Sequence, residues 1–215
     1  RPHILPRTAL LYCTTNWISG NRLVRKGMSP NKGEGQIDIE IEVKAYAEDL
    51  AAIETRLQRL GAVFTGAVHQ TDRYFNHPQR DFAQTDEALR IRIADDRAFM
   101  TYKGRKFDRL SKTREEIEVA VGDAAAATRL LERLGFTPVA AVRKLRRMCE
   151  LGEFIICLDD VAGLGTFVEV EARGVDTIEK ARDGALALLE QLKLHRTERR
   201  SYLELLLEAS GSRTR

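Results

Sequence analysis

Cysteine is scarce in this chain: three in 215 residues, Cys13, Cys149 and Cys157, an odd number at no metal-ligand spacing. That count excludes a disulfide framework and argues against a zinc site, and it leads us to expect reduced thiols in a cytoplasmic protein. Long apolar runs are missing as well. Stretches such as Ala124 to Ala127 fall far short of the roughly 20 residues a bilayer helix needs, so no membrane partner is expected. A basic surplus is absent where a nucleic-acid binder would need it. Residues 1–36 carry six Arg and Lys against Glu34 alone, so the rest of the chain is left at −2 of the net +3. Neutralised phosphates supply most of the affinity for nucleic acid, and an acidic body offers little to them.

What is present is order that begins at Ile37. Before it, residues 1–36 show no sustained period, and Gly27 to Gly35 has a linker's composition, so a disordered basic arm is expected, followed by one domain over 37–209 and a disordered tail at 210–215. Alternating runs at 37–45, 66–76, 88–94, 98–104, 114–121, 139–150, 153–161 and 165–172 predict eight strands. Helical periods fill 47–60, 123–134, 176–193 and 201–208. Gly61 and Gly135 each follow Arg-Leu, where a helix end calls for a left-handed residue. Several links between strands are too short for parallel crossovers. The expectation is an α+β fold: a closed eight-stranded antiparallel β-barrel covered by helices. Leu57 to Gly61 resembles Leu131 to Gly135 at an offset of 74, which suggests two related halves.

The strands divide by chemistry. Ile39, Ile41 and Val43 alternate with Glu40, Glu42 and Lys44; Leu89, Ile91 and Ile93 with Arg90 and Arg92; Ile117 and Val119 with Arg114, Glu116 and Glu118; Val168 and Val170 with Glu169 and Glu171. Lys144 and Arg146 form another i, i+2 pair. An ordinary sheet with a solvated charged face has this pattern too. Two details weigh against it. The polar parity holds almost nothing but ionised groups, and the helices need an apolar surface to cover, which the aliphatic parity supplies if it points outward. The barrel would then have a charged lumen. About eight strands can enclose one small ligand, and ions crowded there cost several kcal/mol each unless well paired. Such a lumen suits a polyanion, with its carboxylates holding divalent metals that bridge the phosphates.

Glu40-Ile-Glu42-Val-Lys44 resembles the ExExK signature of the CYTH superfamily, the triphosphate tunnel metalloenzymes. The likeness continues in order through Gln70-Thr-Asp72-Arg-Tyr74-Phe75, Ala88-Leu-Arg90-Ile-Arg92, Thr101-Tyr-Lys103-Gly104, Arg114-Glu-Glu116-Ile-Glu118, Arg143-Lys144-Leu-Arg146 and Leu158 to Glu171. The Gln-x-Asp-x-Tyr-Phe segment, the Gly-Leu-Gly-x-Phe turn and Ser201 to Leu206 are most similar to the class IV adenylyl cyclases. The resemblance implies conversion of ATP to 3′,5′-cyclic AMP and pyrophosphate with Mg²⁺ or Mn²⁺. Triphosphate hydrolysis, of inorganic triphosphate, thiamine triphosphate or a nucleotide, and non-catalytic sensing are the alternatives. It assigns Glu40, Glu42, Asp159, Glu169 and Glu171 to the metal, and Lys44, Arg90, Arg92, Lys103, Arg114, Lys144 and Arg146 to the phosphates. The share of Glu116 and Glu118 stays open. Tyr74 with Lys103 resembles the triphosphatases' general-base dyad, although Tyr74 equally fits barrel-wall packing. Lys106, Lys112, Arg143 and Arg147 fall to solvent by default, and His69 and His77 to surface hydrogen bonds. Leu203, Leu206 and Leu207 form an apolar stripe for packing, or for the homodimer contact that the resemblance favours.

Overall fold

The structure, a computed structural model, describes residues 16–19, 22–25, 39–106, 113–173 and 177–211. The arm and tail expected at 1–36 and 210–215 therefore lie mostly outside the described residues. Within the arm, β1 (Asn16–Ser19) and β2 (Arg22–Arg25) pair with each other antiparallel.

One sheet makes the body. Its strands are β3 (Ile39–Glu40), β4 (Glu42–Tyr46), β5 (Val63–Asn76), β6 (Ala88–Ala94), β7 (Arg97–Lys103), β8 (Arg114–Val121), β9 (Thr137–Leu151), β10 (Phe154–Val161) and β11 (Gly165–Ala172). Their spatial order is β3-β8-β7-β6-β5-β9-β10-β11-β4, antiparallel throughout. β3 and β4 are one strand interrupted at Ile41, whose carbonyl accepts from Ala172 N at 3.1 Å. That single segment therefore pairs with both edges of the sheet, Glu40 opposite Arg114 and Glu171 opposite Glu42. Eight strands curl into an open barrel whose two edges meet only where Ile39 faces Glu115 and Glu40 faces Arg114. Past Arg114 the edges part, and the free side of β4 is taken by a strap at 196–198, with Tyr46 N donating to Arg196 O at 3.0 Å and Glu198 N to Lys44 O at 2.7 Å.

The helices are α1 (Leu50–Arg59), α2 (Phe82–Thr85), α3 (Ala124–Arg133), α4 (Ile178–Gln191) and α5 (Tyr202–Ala209). α1 and α3 begin at Asp49 and Asp123, whose carboxylates accept from first-turn N–H groups, and end before Gly61 and Gly135 at φ of 86° and 91°. An L side chain at those two φ values is strained, so glycine is what lets each chain turn at once into a strand. The duplication holds at the level of the sheet. Gln70 lies opposite Lys144 and Glu40 opposite Arg114, each pair separated by the same 74 positions. A pseudo-twofold axis must pass between the members of both pairs, through opposite walls of the barrel.

Outward aliphatic residues form the cores. Val43, Ala45, Ile156, Val168 and Val170 pack under α1 and α4 through Ile53, Leu57, Leu188 and Leu189. Leu89 and Ile91 pack with Phe75, Phe82 and Leu131 of α3. Each fully buried side chain of this kind contributes about 1.5–3 kcal/mol. β8 is the exception, with Ile117 and Val119 at 53% and 46% exposure. A third cluster, Tyr74, Val142, Val161 and Phe167 with Tyr202 and Leu205 of α5, plugs one end of the lumen. Among the described residues no helix is long and apolar enough to cross a membrane.

Candidate active site

The ionised parity points inward. A cavity of about 80 Å³ inside the barrel is lined by Glu42, Asp72, Glu116, Glu169 and Glu171 interleaved with Arg90, Arg92, Lys103, Arg114, Lys144 and Arg146. Five carboxylates thus face six cations. The alternation of each strand explains the gathering, since i, i+2 residues share one face and closure turns that face to the interior.

Two ion-pair nodes organise the wall. Asp72, 1% exposed, accepts from Arg92 Nε at 2.6 Å and Arg92 Nη2 at 2.7 Å, with Arg90 Nη1 at 3.5 Å and Lys144 Nζ at 4.0 Å. Burial opposes its charge, but these cations hold its carboxyl far below the ordinary range. Asp159, wholly buried, accepts from Arg146 Nε at 2.7 Å and from the Tyr202 hydroxyl at 2.8 Å, with Lys144 Nζ at 3.8 Å. Arg146 also reaches Glu169. Lys144 lies between the nodes, and burial, reinforced by the charge of Arg146, pulls its ammonium down to about 8. On the facing wall Lys103 Nζ meets Glu116 Oε2 at 3.1 Å, and Thr101 Oγ1 donates to Glu118 Oε2 at 2.9 Å.

The remaining expected residues take varied positions. Glu42 and Glu171 are directly opposed across β4 and β11. Like charges so placed repel unless a cation lies between them. Glu40 is placed by its backbone alone, opposite Arg114. Lys44 is 1% exposed; its Nζ donates to Arg200 O at 2.5 Å and lies 4.1 Å from the centroid of the Tyr202 ring, which ties the strap to the barrel. Tyr74 is buried and hydrogen-bonded to Arg90, and burial, then the charge of Asp72, push its phenol above its ordinary value. Lys106 departs from the expectation of a solvent position: its side chain is 8% exposed and pairs with Asp86 at 2.5 Å and Glu204 at 3.6 Å. Arg143 is exposed, Arg147 pairs with Glu54, and Lys112 lies outside the described residues. His77 packs on Phe136 and Phe82. Of the leucine stripe, Leu203 and Leu206 pack within the chain against the end plug.

Sequence reasoning gave no role to Asp72, Cys157, Ser201 or Tyr202, all of which line the cavity. Asp72 shares its parity with Gln70 and Tyr74, and Cys157 shares its own with Asp159, so the alternation already carried those two. Tyr202 is brought in by a capping box, Ser201 with Glu204, that starts α5 beside the barrel mouth.

The donors suit a hard divalent cation. Glu42, Glu169 and Glu171 offer oxygen ligands on adjacent strands, yet among the described residues no three His, Cys, Asp or Glu side chains form a ready cage. Mg²⁺ typically takes one or two carboxylates and completes its shell with water and substrate phosphate, which is the supply found here. A bare triphosphate would leave the near-balanced lumen strongly negative; one accompanied by a divalent cation would not.

A family model described as the CYTH domain matches residues 38–202. The chain is 41% identical over 171 residues to a candidate adenylate cyclase of Methanocaldococcus jannaschii, covering 78% of this chain and 98% of that one. It is 29% identical over 134 residues to the adenylate cyclase CyaB of Aeromonas hydrophila, covering 61% and 67%. Among solved structures, the PH1819 protein from Pyrococcus horikoshii OT3 superposes with a TM-score of 0.73 at 42% identity, covering 79% of this chain and 98% of that one. The matched stretch takes in every strand of the barrel from Ile39 onward and the Tyr202 that closes one end, so this chain belongs to the CYTH domain family.

Proposed function

We propose that this chain is a divalent-metal-dependent enzyme that holds ATP by its triphosphate inside the barrel and converts it to 3′,5′-cyclic AMP and pyrophosphate. The observation that carries the reading is the buried, interleaved set of both signs on the inner wall, in a chain 41% identical to a candidate adenylate cyclase. Arg90, Arg92, Lys103, Arg114, Lys144 and Arg146 take the phosphates, arginine by its planar fork and lysine as a point charge. The Nε atoms of Arg90 and Arg114 are buried without a hydrogen-bond partner in the protein, as donors intended for an anionic guest would be. Lys44, on the same strand parity as Glu42 and tied to the strap through Arg200 O, joins these six side chains as a seventh cation.

Glu42, Glu169 and Glu171 hold the metal side, with Glu40 preceding Glu42 and Asp159 behind Arg146. Mg²⁺ or Mn²⁺ bound there supplies charge neutralisation and activation of the ribose 3′-hydroxyl. The cations then stabilise the charge that grows on the departing pyrophosphate, and because buried ion pairs already fix them they need little reorganisation to do so. Hydrolysis through Tyr74 and Lys103 would need an ionised phenol, and burial disfavours one.

Incubation with ATP and Mg²⁺ or Mn²⁺, followed by chromatography of the products, tests the reading. Cyclic AMP with pyrophosphate is expected. ADP with orthophosphate overturns the cyclase assignment in favour of a triphosphatase, and metal-independent binding without turnover overturns catalysis in favour of a sensor.

A further inference from the structure

A cavity of about 420 Å³ lies between α1, the residues that follow α4 and the start of the strap, and it shares no lining residue with the lumen cavity. Its apolar part is the buried pair Ile53 and Leu194. Arg56, Lys193 and Arg196 bring cations to its wall. Arg56 Nη1 is fixed by donating to Leu192 O at 2.8 Å, and the Arg196 guanidinium lies 4.0 Å from the centroid of the Tyr46 ring. Neither partner is a carboxylate. Glu48 and Asp49 also line the cavity, and Asp49 is committed to Ala52 N at 2.9 Å as the cap of α1. His195, the last polar group of the lining, pairs with Glu190 at 2.9 Å. Three permanent cations thus stand against two carboxylates.

The backbone at Lys193 is strained. α1, α3 and α4 end in one and the same cap, in which Gly61 N donates to Gln58 O at 3.0 Å, Gly135 N to Glu132 O at 3.0 Å and Lys193 N to Glu190 O at 2.9 Å. The first two positions are glycine; the third is a lysine at φ of 61°. Glycine would make that turn without strain. Strain kept where a free alternative exists points to a task for the side chain, and the Lys193 side chain lines this cavity.

We infer that this cavity is a second ligand site, separate from the lumen, which takes a small aromatic anion of one or two negative charges: the ring against Ile53, Leu194 and the Arg196 plane, the anionic group on Arg56 and Lys193. The volume lies within the range of small-molecule pockets. Arginine stacks its planar face on rings and matches paired oxygens with its fork, and lysine adds a point charge. A polyphosphate fits poorly, because Glu48 and Asp49 on the same wall repel its further charges. An uncharged ring leaves the cations without a partner. The inference does not depend on what the lumen binds.

Fluorescence titration of the full chain with naphthyl phosphate, with and without saturating inorganic triphosphate and Mg²⁺, tests the site. Saturable binding of equal affinity in both conditions is expected. Lys193→Gly is expected to weaken the probe by roughly five- to tenfold, the size of one charge-assisted contact, while raising the melting midpoint by about 2–4 °C as the strain is relieved. A lysine with no ligand would give the second change without the first. Lys193→Arg is expected to keep the affinity, and Arg56→Gln to weaken it by a factor similar to that of Lys193→Gly. Absence of saturable binding, displacement of the probe by triphosphate, or an affinity in Lys193→Gly equal to the parent's overturns the inference.

Discussion

Replacing Asp72 by Asn tests the inner wall at its most heavily paired carboxylate. The change keeps shape and removes charge. It leaves the Arg92 fork facing an amide whose NH₂ cannot accept, and it strands Arg90 and Lys144 at 3.5 and 4.0 Å from the same side chain. Breaking a buried ion pair from one side costs about 3–5 kcal/mol, and for a domain of this size each kcal/mol moves the melting midpoint by about 2–4 °C. Thermal denaturation at pH 7 should therefore show a drop of roughly 6–20 °C. The pH dependence has a definite sign. The folded carboxyl is held far below its unfolded value of about 3.9, so its contribution is complete above that value and fades as pH falls below it. The gap between the two proteins should be flat from pH 7 to about 4 and narrow at lower pH. Saturating inorganic triphosphate should restore more of the midpoint in Asp72→Asn than in the unaltered protein, because three cations have lost their internal anion. A loss under about 1 kcal/mol, or a gap that does not narrow in acid, refutes the reasoning.

Glu169→Gln and Glu42→Gln should each abolish metal-dependent turnover while circular dichroism stays unchanged; retained rates would remove those residues from the metal. Tyr202→Phe deletes the bond to Asp159 and should cost about 1.5–3 kcal/mol in urea unfolding, the range for hydrogen bonds to charged groups. Burial pushes the Cys149 and Cys157 thiols up to about 12, so mass spectrometry after iodoacetamide at pH 8 should find both unlabelled when native and labelled in denaturant. Gly61→Ala and Gly135→Ala should each cost about 1–2 kcal/mol for a left-handed L residue, with Gly135 the worse because an added Cβ would meet Pro78 Cβ at 3.3 Å. Equal stability of both variants and parent in denaturant titrations would contradict the shared cap geometry.

The barrel was legible because its signal is periodic and local. Residues two apart must share a strand face, so Glu42 with Lys44 and Arg90 with Arg92 disclosed a charged wall before any coordinates did. The 74-residue offset was likewise visible in two Leu-x-Arg-Leu-Gly segments, and it reappears as Gln70 opposite Lys144. Features made by distant chain segments were hidden. Tyr202 reaches Asp159 across 43 positions, and Lys44 reaches the carbonyl of Arg200 across 156, with no local pattern to announce either contact. Lys106 was misplaced for the same reason: its burial depends on Asp86 and Glu204, which meet only after folding. The four-residue α2 is too short to show a helical period. The split of the first strand at Ile41 depends on which edge each half meets, and strand patterning is blind to that.

The most direct test of an enclosed metal–triphosphate centre is a crystal structure with Mn²⁺ and a non-reacting ATP analogue, with the metal located by its anomalous scattering. The account predicts a manganese peak at coordination distance from Glu42, Glu169 or Glu171, with phosphate oxygens on Arg90, Arg114 and Arg146. A nucleotide bound outside the barrel, with the Arg92–Asp72 and Arg146–Asp159 pairs undisturbed and no metal within, would contradict it.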